Sequence, residues 1–403
     1  MKQNTQSADT KDTIIKTFEY KIRHNAKFIA ACERELEHSR QIYNAALQEK
    51  INCYKATGKY LGLIEQSRHL TDARTLPEMK THLRSIQADA LNEVDKAFQS
   101  FFQRCQQRKG KAGFPRFKSI HRYHTFSQAY EQKRSCPLIA DKLKVPGVGH
   151  CRIRLSRPIE GRVKRLQITR RADGWFALLT CELAKPEPLP LTGLSVGIDV
   201  GLTSFATLSD GSKIENPRLV KHAAQNLTKQ QRRLSKKKKG SANRKKARQK
   251  VALAHLKVTR ARKHFHHRTA ARLVKQFDAI AVEDLNIKGM VKNRSLAKAI
   301  SDVAWGAFFL ILQSKAENAG RRFEKVPAAY TSQNCNACGH RQKMPLKLRI
   351  FDCGNCGHSL DRDENAALNI KIRLSEPELN ACEVGAAYVE TGMRCKSATL
   401  MKY

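Results

Sequence analysis

The stretch Leu194-Ser-Val-Gly-Ile-Asp-Val-Gly201 decides the fold, because it is an apolar strand interrupted by one carboxylate and by glycines. A charged side chain on such a strand is costly to bury unless it binds a cation, so Asp199 is a candidate metal ligand. A second apolar run, Ala279-Ile-Ala-Val-Glu-Asp284, reaches Glu283 at its end. Phosphodiester hydrolysis by two divalent cations needs several converging carboxylates, and these acids are candidates for that role.

The third candidate acid lies in Asp361-Arg-Asp-Glu-Asn-Ala-Ala-Leu-Asn-Ile370, which opens a helical pattern late in the chain. This segment contains both Asp361 and Asp363, and the residues alone do not decide between them. Each candidate acid also has an ordinary explanation. Asp199 fits a turn residue beside glycine, Glu283 a strand terminus and Asp363 a helix cap.

The order of elements around these acids makes chance less plausible, because it predicts a ribonuclease-H-type α/β domain with the acids at one edge of a mixed sheet. The expected elements are two strands from Leu194 and Phe205, a third short strand after the Asp210-Gly211 turn, two long helices over 218–275, a strand over Ala279–Val282, one helix over about Ala297–Asn318, a strand over Arg322–Val326 and a helix over about Glu364–Arg373.

Four of the twelve cysteines form two close pairs, Cys335-x-x-Cys338 and Cys353-x-x-Cys356, separated by fourteen residues. Two such turns supply the four thiolates of a tetrahedral zinc site, and a glycine follows each second cysteine, where it helps the turn close. His340 and His358 are not needed as ligands. The other cysteines are scattered, which fits a reducing cytoplasm rather than a disulfide framework. Ribbons of this kind are usually structural.

The charge of the chain points to a polyanionic partner. Its 403 residues contain 76 Lys and Arg against 36 Asp and Glu, a formal net charge of +40. Residues 218–275 contain 21 Lys or Arg and no Asp or Glu. Leu227, Leu234, Val251, Leu256 and Leu273 keep a helical period there, which favours helices that track phosphates over a disordered tail. The group His264-Phe-His-His267 fits a cationic or packing element better than a metal site.

The first half of the chain predicts a strand over 13–24, helices from Ala26 and from Pro77 to about Arg108, and short strands over 113–183 with a turn at Ala172-Asp173-Gly174. Residues 185–193 break all periodicity and mark a domain boundary. Phe114 and Phe117 stand among basic residues, where they either stack on unpaired bases or belong to the core. No apolar run reaches the roughly 18 residues of a membrane span. No Walker-type phosphate loop is present, so an ATP-driven motor is unsupported.

These motifs, in this order, resemble the TnpB family (also called OrfB) of bacterial and archaeal insertion sequences, which is related to type V CRISPR effectors. The resemblance rests on six segments spanning residues 43 to 370: Tyr43-Asn-Ala-Ala-Leu47, Ala112-Gly-Phe-Pro-Arg-Phe-Lys118, Gly197-Ile-Asp-Val-Gly201, Val282-Glu-Asp-Leu-Asn-Ile-Lys-Gly-Met290, Thr331-Ser-Gln-x-Cys335-x-x-Cys338-Gly339 and Asp361-Arg-Asp-x-Asn-Ala-Ala-x-Asn-Ile370.

The resemblance implies an α+β multidomain protein. An N-terminal wedge-like β-barrel over 1–190, with a helical recognition insert at about 26–110, would bind nucleic acid. A RuvC-like nuclease domain would comprise 191–330 and 359–375, with a zinc ribbon over 331–358 between them. Residues 376–403 would be a flexible tail. By position in the family motifs, Asp199, Glu283 and Asp363 would bind catalytic Mg²⁺, and the four paired cysteines would bind structural zinc.

The implied function is RNA-guided DNA cleavage beside a short target-adjacent motif, associated with transposition of the element. Its partners would be a guide RNA from the element's end and a double-stranded DNA target, in the bacterial or archaeal cytoplasm at the nucleoid, without membrane contact. Two alternatives are an RNA-guided repressor that does not cut and a RuvC-type nuclease without a guide. The acid order Asp, Glu, Asp disfavours a DDE transposase. The sequence does not set the oligomeric state.

Overall fold

The computed structural model describes residues 13–107, 112–130, 136–217, 219–345 and 348–375. It divides into two compact units. The first comprises the described residues of Met1–Pro186 and Asn226–Lys257, and the second those of Glu187–Gln225 and Val258–Tyr403. The predicted C-terminal tail, 376–403, lies outside the described residues.

The first unit combines a helical group with an antiparallel sheet. Its elements are β1 (Thr13–Ile22), α1 (Ala26–Thr57), α2 (Leu63–Ala73), α3 (Pro77–Lys80), α4 (Arg84–Gln106), β2 (Thr125–Ala129), β3 (Leu138–Ile139), β4 (Lys142–Val145), β5 (Gly149–Arg154), β6 (Arg162–Arg171) and β7 (Gly174–Ala184). The sheet order is β2-β6-β7-β1-β5-β4-β3. Among the described residues β2 and β3 are edge strands, so closure into the expected barrel stays a prediction.

Local sequence explains the first helix well. The side chain of Asn25 caps α1 by accepting a hydrogen bond from the Phe28 backbone N–H at 3.1 Å. Gly58 ends the helix in the left-handed region at φ 68°, which glycine adopts without strain. The predicted apolar stripe is buried in the core of this unit: Phe28, Cys32, Leu36, Tyr43 and Leu47.

The second unit is built on a five-stranded mixed sheet. Its remaining elements are β8 (Ser195–Val200), β9 (Ser204–Leu208), β10 (Lys213–Glu215), β11 (Ala279–Glu283), α7 (Ile287–Met290), α8 (Ala297–Val303), α9 (Trp305–Asn318), β12 (Arg322–Val326), β13 (Ile350–Asp352), β14 (Ser359–Asp361) and α10 (Arg362–Ser375). The long basic helices α5 (Leu219–Ser235) and α6 (Ala242–Gln276) lie between β10 and β11 in the chain, and their residues are divided between the two units. The strand order is β10-β9-β8-β11-β12, antiparallel up to β8 and parallel from β8 to β12.

The two faces of this sheet are covered by different helices. Val196, Ile198 and Val282 belong to a large core that also contains Leu273 of α6 and Phe308 of α9. The opposite face carries small residues, and there Ala281 packs with Ile370 and Leu374 of α10. Side chains alternate between faces along a strand, so Gly197, Asp199 and Glu283 lie on the face that α10 covers.

Three sequence expectations about elements were wrong. The single helix expected over Ala297–Asn318 is two helices, because Ala304 adopts a left-handed conformation at φ 55° and ends α8. The helix expected from Pro77 is likewise α3 followed by α4. No strand forms at Gly113–Lys118, where the chain is irregular.

Candidate active site and metal centre

Strands β8 and β11 are neighbours in the middle of the sheet, and two of the predicted acids lie side by side at their carboxyl ends. The strands are parallel, and their last registered pair is Ile198 with Val282. Asp199 and Glu283 follow directly, one on each strand. Because registered residues of neighbouring parallel strands point to the same face, both side chains lie on the α10 side of the sheet.

Gly197 allows α10 to reach this edge. A Cβ atom at position 197 would lie 2.1 Å from the backbone oxygen of Ala367 and 2.5 Å from the backbone nitrogen of Lys371. The helix backbone therefore rests directly on the glycine. Since Asp199 is two residues along the same strand face, the first turn of α10, which carries Asp363, is placed beside Asp199.

The pKa of Asp199 is raised well above its usual range, mainly by burial and further by repulsion from Glu283 and then Asp363. Arg362 and the backbone N–H of Val200 oppose this shift. The structure thus brings the three predicted acids into one electrostatic site. A divalent cation offsets both the burial and the mutual repulsion of such carboxylates, so the chemistry of these oxygen donors suits Mg²⁺ or Mn²⁺. Among the described residues, however, the oxygens of the three acids are not drawn together as closely as the sulfurs of the paired cysteines are.

Glu283 is the most enclosed of the three, with 8% of its surface exposed. Burial raises its pKa, while a hydrogen bond donated by the Thr331 hydroxyl and the charge of Arg373 lower it. Sequence reasoning missed Thr331 as a partner of this acid, although the residue opens one of the recognised motifs.

Asp361 and Asp363 differ sharply in environment. Asp361 caps α10 by accepting hydrogen bonds from the backbone N–H groups of Asp363 at 2.9 Å and Glu364 at 3.3 Å. It also pairs with Lys213 at 2.7 Å. Burial raises its pKa, but these hydrogen bonds outweigh burial and leave the pKa lowered. The helix-cap alternative for Asp363 is therefore wrong, because Asp361 is the residue that caps α10. The charge of Asp363 instead helps to raise the pKa of Asp199. Arg349 approaches Asp363 to 3.7 Å.

The four paired cysteines converge at one point. Their Sγ atoms all lie within 4.8 Å of one another. The Cys335–Cys356 and Cys338–Cys353 sulfur separations are 3.7 and 3.6 Å. A tetrahedral site with Zn–S bonds of about 2.3 Å has sulfur–sulfur edges of about 3.8 Å, so this donor set fits a zinc ion.

Two matching turns build this cysteine cluster. Gly339 and Gly357 adopt φ values of 73° and 71°, and the backbone N–H of each donates to the oxygen of its first cysteine at 2.9 Å. The His340 backbone N–H is the largest influence on Cys338 and helps lower the pKa of this thiol to about 6, whereas at Cys356 the backbone N–H of His358 is outweighed by the other thiols, which raise the pKa to about 12. The thiols thus share their protons, and zinc binding would displace them. Among the described residues this is the one cluster of His, Cys, Asp or Glu suited to hold a metal by ligand proximity.

Two asparagines of α10 join the cysteine turns to the acids, and the sequence analysis did not assign them. Asn365 donates to the backbone oxygen of Asn334 at 2.8 Å and accepts from the Asn336 N–H at 3.0 Å. Asn369 donates to the backbone oxygens of Thr331 and Asn334, both at 2.8 Å. Their four-residue spacing places both on one helix face, which is the signal that could have identified them.

The basic helices expose most of their described cations. Leu273 of the predicted apolar set is buried, and the other four members are partly buried, so the helices pack along one side. His266 is buried and its Nε2 lies 3.0 Å from the Val303 backbone oxygen, a packing role as expected for that cluster. Phe114 and Phe117 are 48% and 50% exposed, and the Phe114 ring packs edge-on against Phe98 and Phe101 of α4, so it borders the core of the first unit. Within the part of the chain described, no helix is long and apolar enough to cross a membrane.

Comparison with known proteins decides the family. A family model described as "Probable transposase" matches residues 179–294, and one described as "Cas12f1-like, TNB domain" matches residues 305–370. A Streptomyces pristinaespiralis protein named "Putative RNA-guided DNA endonuclease" is 34% identical over 366 residues, which is 88% of each chain. This chain belongs to the TnpB family.

Other members and relatives of the TnpB family match over similar lengths. An Escherichia coli K12 protein named "Putative RNA-guided DNA endonuclease InsQ" is 26% identical over 375 residues, covering 88% of this chain and 91% of its own. A chain from the "Cas12f1-sgRNA-target DNA complex" superposes with a TM-score of 0.58 at 14% identity, covering 90% of this chain and 99% of that one. The fold seen here is thus similar to that of the Cas12f1 chain.

Proposed function

We propose that this chain is an insertion-sequence-encoded, RNA-guided DNA endonuclease that hydrolyses phosphodiesters with Mg²⁺ held by Asp199, Glu283 and Asp363. The observation that carries the proposal is that Asp199 and Glu283 follow the last registered pair of two neighbouring parallel strands, where burial, and then repulsion from Glu283 and Asp363, raises the pKa of Asp199 well above its usual range. Structural ion pairs do not explain it, because repulsion from two further acids adds to burial there. The names of the bacterial relatives support the guided activity.

The strand order of the second unit supports a ribonuclease-H-type, RuvC-like nuclease domain. In this assignment β8 and β11 carry the first two acids at the centre of the sheet, and α10 supplies the third. When bound at such a site, two divalent cations stabilise the developing charge on the phosphate and activate a water molecule.

The protein's own residues have distinct parts in this proposal. Asp199, Glu283 and Asp363 orient and charge-balance the cations. Asp361 holds the first turn of α10, so that Asp363 keeps its direction toward Asp199. The four cysteines hold a structural zinc in the ribbon (residues 331–358), which connects β12 to the helix of the last acid.

Nucleic acid would be held by charge and by exposed rings. The cations of α5 and α6 suit phosphate tracking, with binding that weakens steeply as salt rises. Base pairing between guide and target would supply sequence specificity, while the protein reads backbone shape and a short adjacent motif. Phe117 stands half exposed beside Arg116 and Lys118, a combination suited to stacking on an unpaired base.

The test is cleavage of a plasmid by the protein co-expressed with RNA from the element's end, with a randomised flank beside the target. Wild type and Asp199→Ala are compared, each with Mg²⁺ and with chelator. Cuts that require the matched RNA, Mg²⁺ and Asp199 support the proposal and give the flanking motif. Binding that needs RNA but never yields cuts would favour a repressor, and cuts without RNA would favour an unguided nuclease.

A further inference from the structure

The segment between β12 and the first cysteine turn contains no helix or extended strand, and side chains of α10 form hydrogen bonds with its backbone at several positions. Arg373 donates to the backbone oxygens of Pro327 and, at 2.8 Å, Ala329. Asn369 and Asn365 bind the backbone at Thr331 and Asn334, as described above. Positions 365, 369 and 373 repeat every four residues, so one face of α10 fixes this segment along its length.

Thr331 is the point of this segment that faces the acids. It is 3% exposed, and its hydroxyl donates to Oε1 of Glu283. The backbone oxygen of Ala328 lies farther from the hydroxyl, at 3.3 Å. A hydroxyl has one proton to donate, and the carboxyl oxygen of Glu283, being the closer of the two, is the better acceptor.

We propose that Thr331 is a positioning residue, which fixes the orientation of the Glu283 carboxylate through its hydroxyl while Asn369 fixes Thr331 through its backbone. The inference rests on the proposed metal-dependent nuclease function, and it assigns a role in that site to a residue outside the three acids. Helix α10 then supports both features, because it carries Asp363 and forms hydrogen bonds with the first cysteine turn through Asn365.

The matched pair of variants is Thr331→Val, which keeps the shape and removes the hydroxyl, and Thr331→Ser, which keeps the hydroxyl. Three quantities are measured for the full chain: Mn²⁺ affinity by calorimetry, RNA-guided cleavage rate against Mg²⁺ concentration, and zinc content with melting temperature. Asp199→Ala defines the Mn²⁺ binding that belongs to the acid site.

Thr331→Val is expected to weaken Mn²⁺ and Mg²⁺ binding by about tenfold, with zinc content unchanged. Thr331→Ser is expected to restore both. If Thr331→Val changes only the melting temperature, Thr331 is structural and the inference fails while the nuclease proposal stands. If wild type cuts nothing but binds Mn²⁺ through Asp199, the Mn²⁺ affinities still decide the role of Thr331. If wild type shows no Asp199-dependent Mn²⁺ binding, both proposals fall, because no metal ligand is being positioned.

Discussion

The packing of α10 on Gly197 gives the sharpest prediction, because one methyl group tests how the acids are brought together. In Gly197→Ala the added Cβ would lie 2.1 Å from the Ala367 oxygen and 2.5 Å from the Lys371 nitrogen. Optimal nonbonded contacts are near 3.5 Å, so the helix must retreat by on the order of 1 Å. Both contacts are helix backbone, which cannot rotate away as a flexible side chain would.

The expected cost follows from this geometry. Overpacking of this kind costs about 1–3 kcal/mol, and the φ of Gly197 lies outside the left-handed region, so the cost is purely steric. A displacement of about 1 Å in a catalytic constellation lowers rate by roughly 100-fold. Gly197→Ala is therefore expected to lose nearly all cleavage while the protein stays folded with a lower melting temperature.

The assay compares guided cleavage and thermal unfolding of Gly197→Ala with Gly306→Ala as the matched control. At position 306 an added Cβ meets only Ile287 Cδ1 at 3.4 Å, so stability should change by no more than about 0.5 kcal/mol. Wild-type cleavage and melting in Gly197→Ala would refute the reasoning, since α10 could not then be in backbone contact with β8.

Three further predictions follow from the same sites. Asp363→Asn is expected to abolish cleavage, whereas Asp361→Asn should retain most of it. Because asparagine caps a helix about as well as aspartate, Asp361→Asn should lose no more than about 0.5 kcal/mol in denaturant unfolding, through the weakened pair with the partly exposed Lys213; equal losses of cleavage would contradict the distinction. Cys338→Ser is expected to lower the zinc content from one ion per chain, measured by elemental analysis, and to lower the melting temperature; full zinc retention would exclude this ligand set. The pKa of Asp199 is raised in the folded state, so ionisation of this carboxyl lowers the stability of the protein as pH rises through that pKa. Without metal, Asp199→Asn should therefore melt at a higher temperature than wild type at pH 8 but not near pH 4. The reverse order in calorimetry would show that ionised Asp199 does not destabilise the fold.

The apolar periodicity and the turn residues of the sequence predicted most of the strands and helices of the second unit. The apolar runs at Leu194 and Ala279 are strands, and the acid-free basic stretch forms two helices, because burial and charge leave direct marks on a sequence. The break at Ala304 carries no such mark. Alanine is the best helix former, so a left-handed alanine is set by tertiary packing, which outweighs local propensity.

The candidate site was predictable in its residues but not in its supports. Acids on apolar strands are conspicuous because burial is costly, and paired cysteines are conspicuous because of spacing. Thr331, Asn365 and Asn369 are common polar residues, and their roles depend on which backbone groups lie opposite them in the fold. Periodicity cannot report such partners. The four-residue spacing of Asn365 and Asn369 was the available clue, and it became meaningful once their backbone partners were known.

The placement of Asp363 depends on three different supports, and this explains why the last acid can lie so far along the chain. Asp361 closes the first turn of α10, Gly197 sets the distance between helix and strand, and the asparagines bind the helix to the cysteine turns. Only the middle support acts by contact with the strand that carries Asp199. Asp363 lies on a helix that follows a long insertion, so its position must be fixed independently of the intervening chain. The contact between the α10 backbone and Gly197 fixes it, and little side-chain entropy is lost because glycine has no side chain. The ribbon then orients α10, whereas Gly197 sets the distance between α10 and β8. Substitutions in the ribbon should therefore make the position of Asp363 less well defined, while a substitution at Gly197 should shift Asp363 away from Asp199.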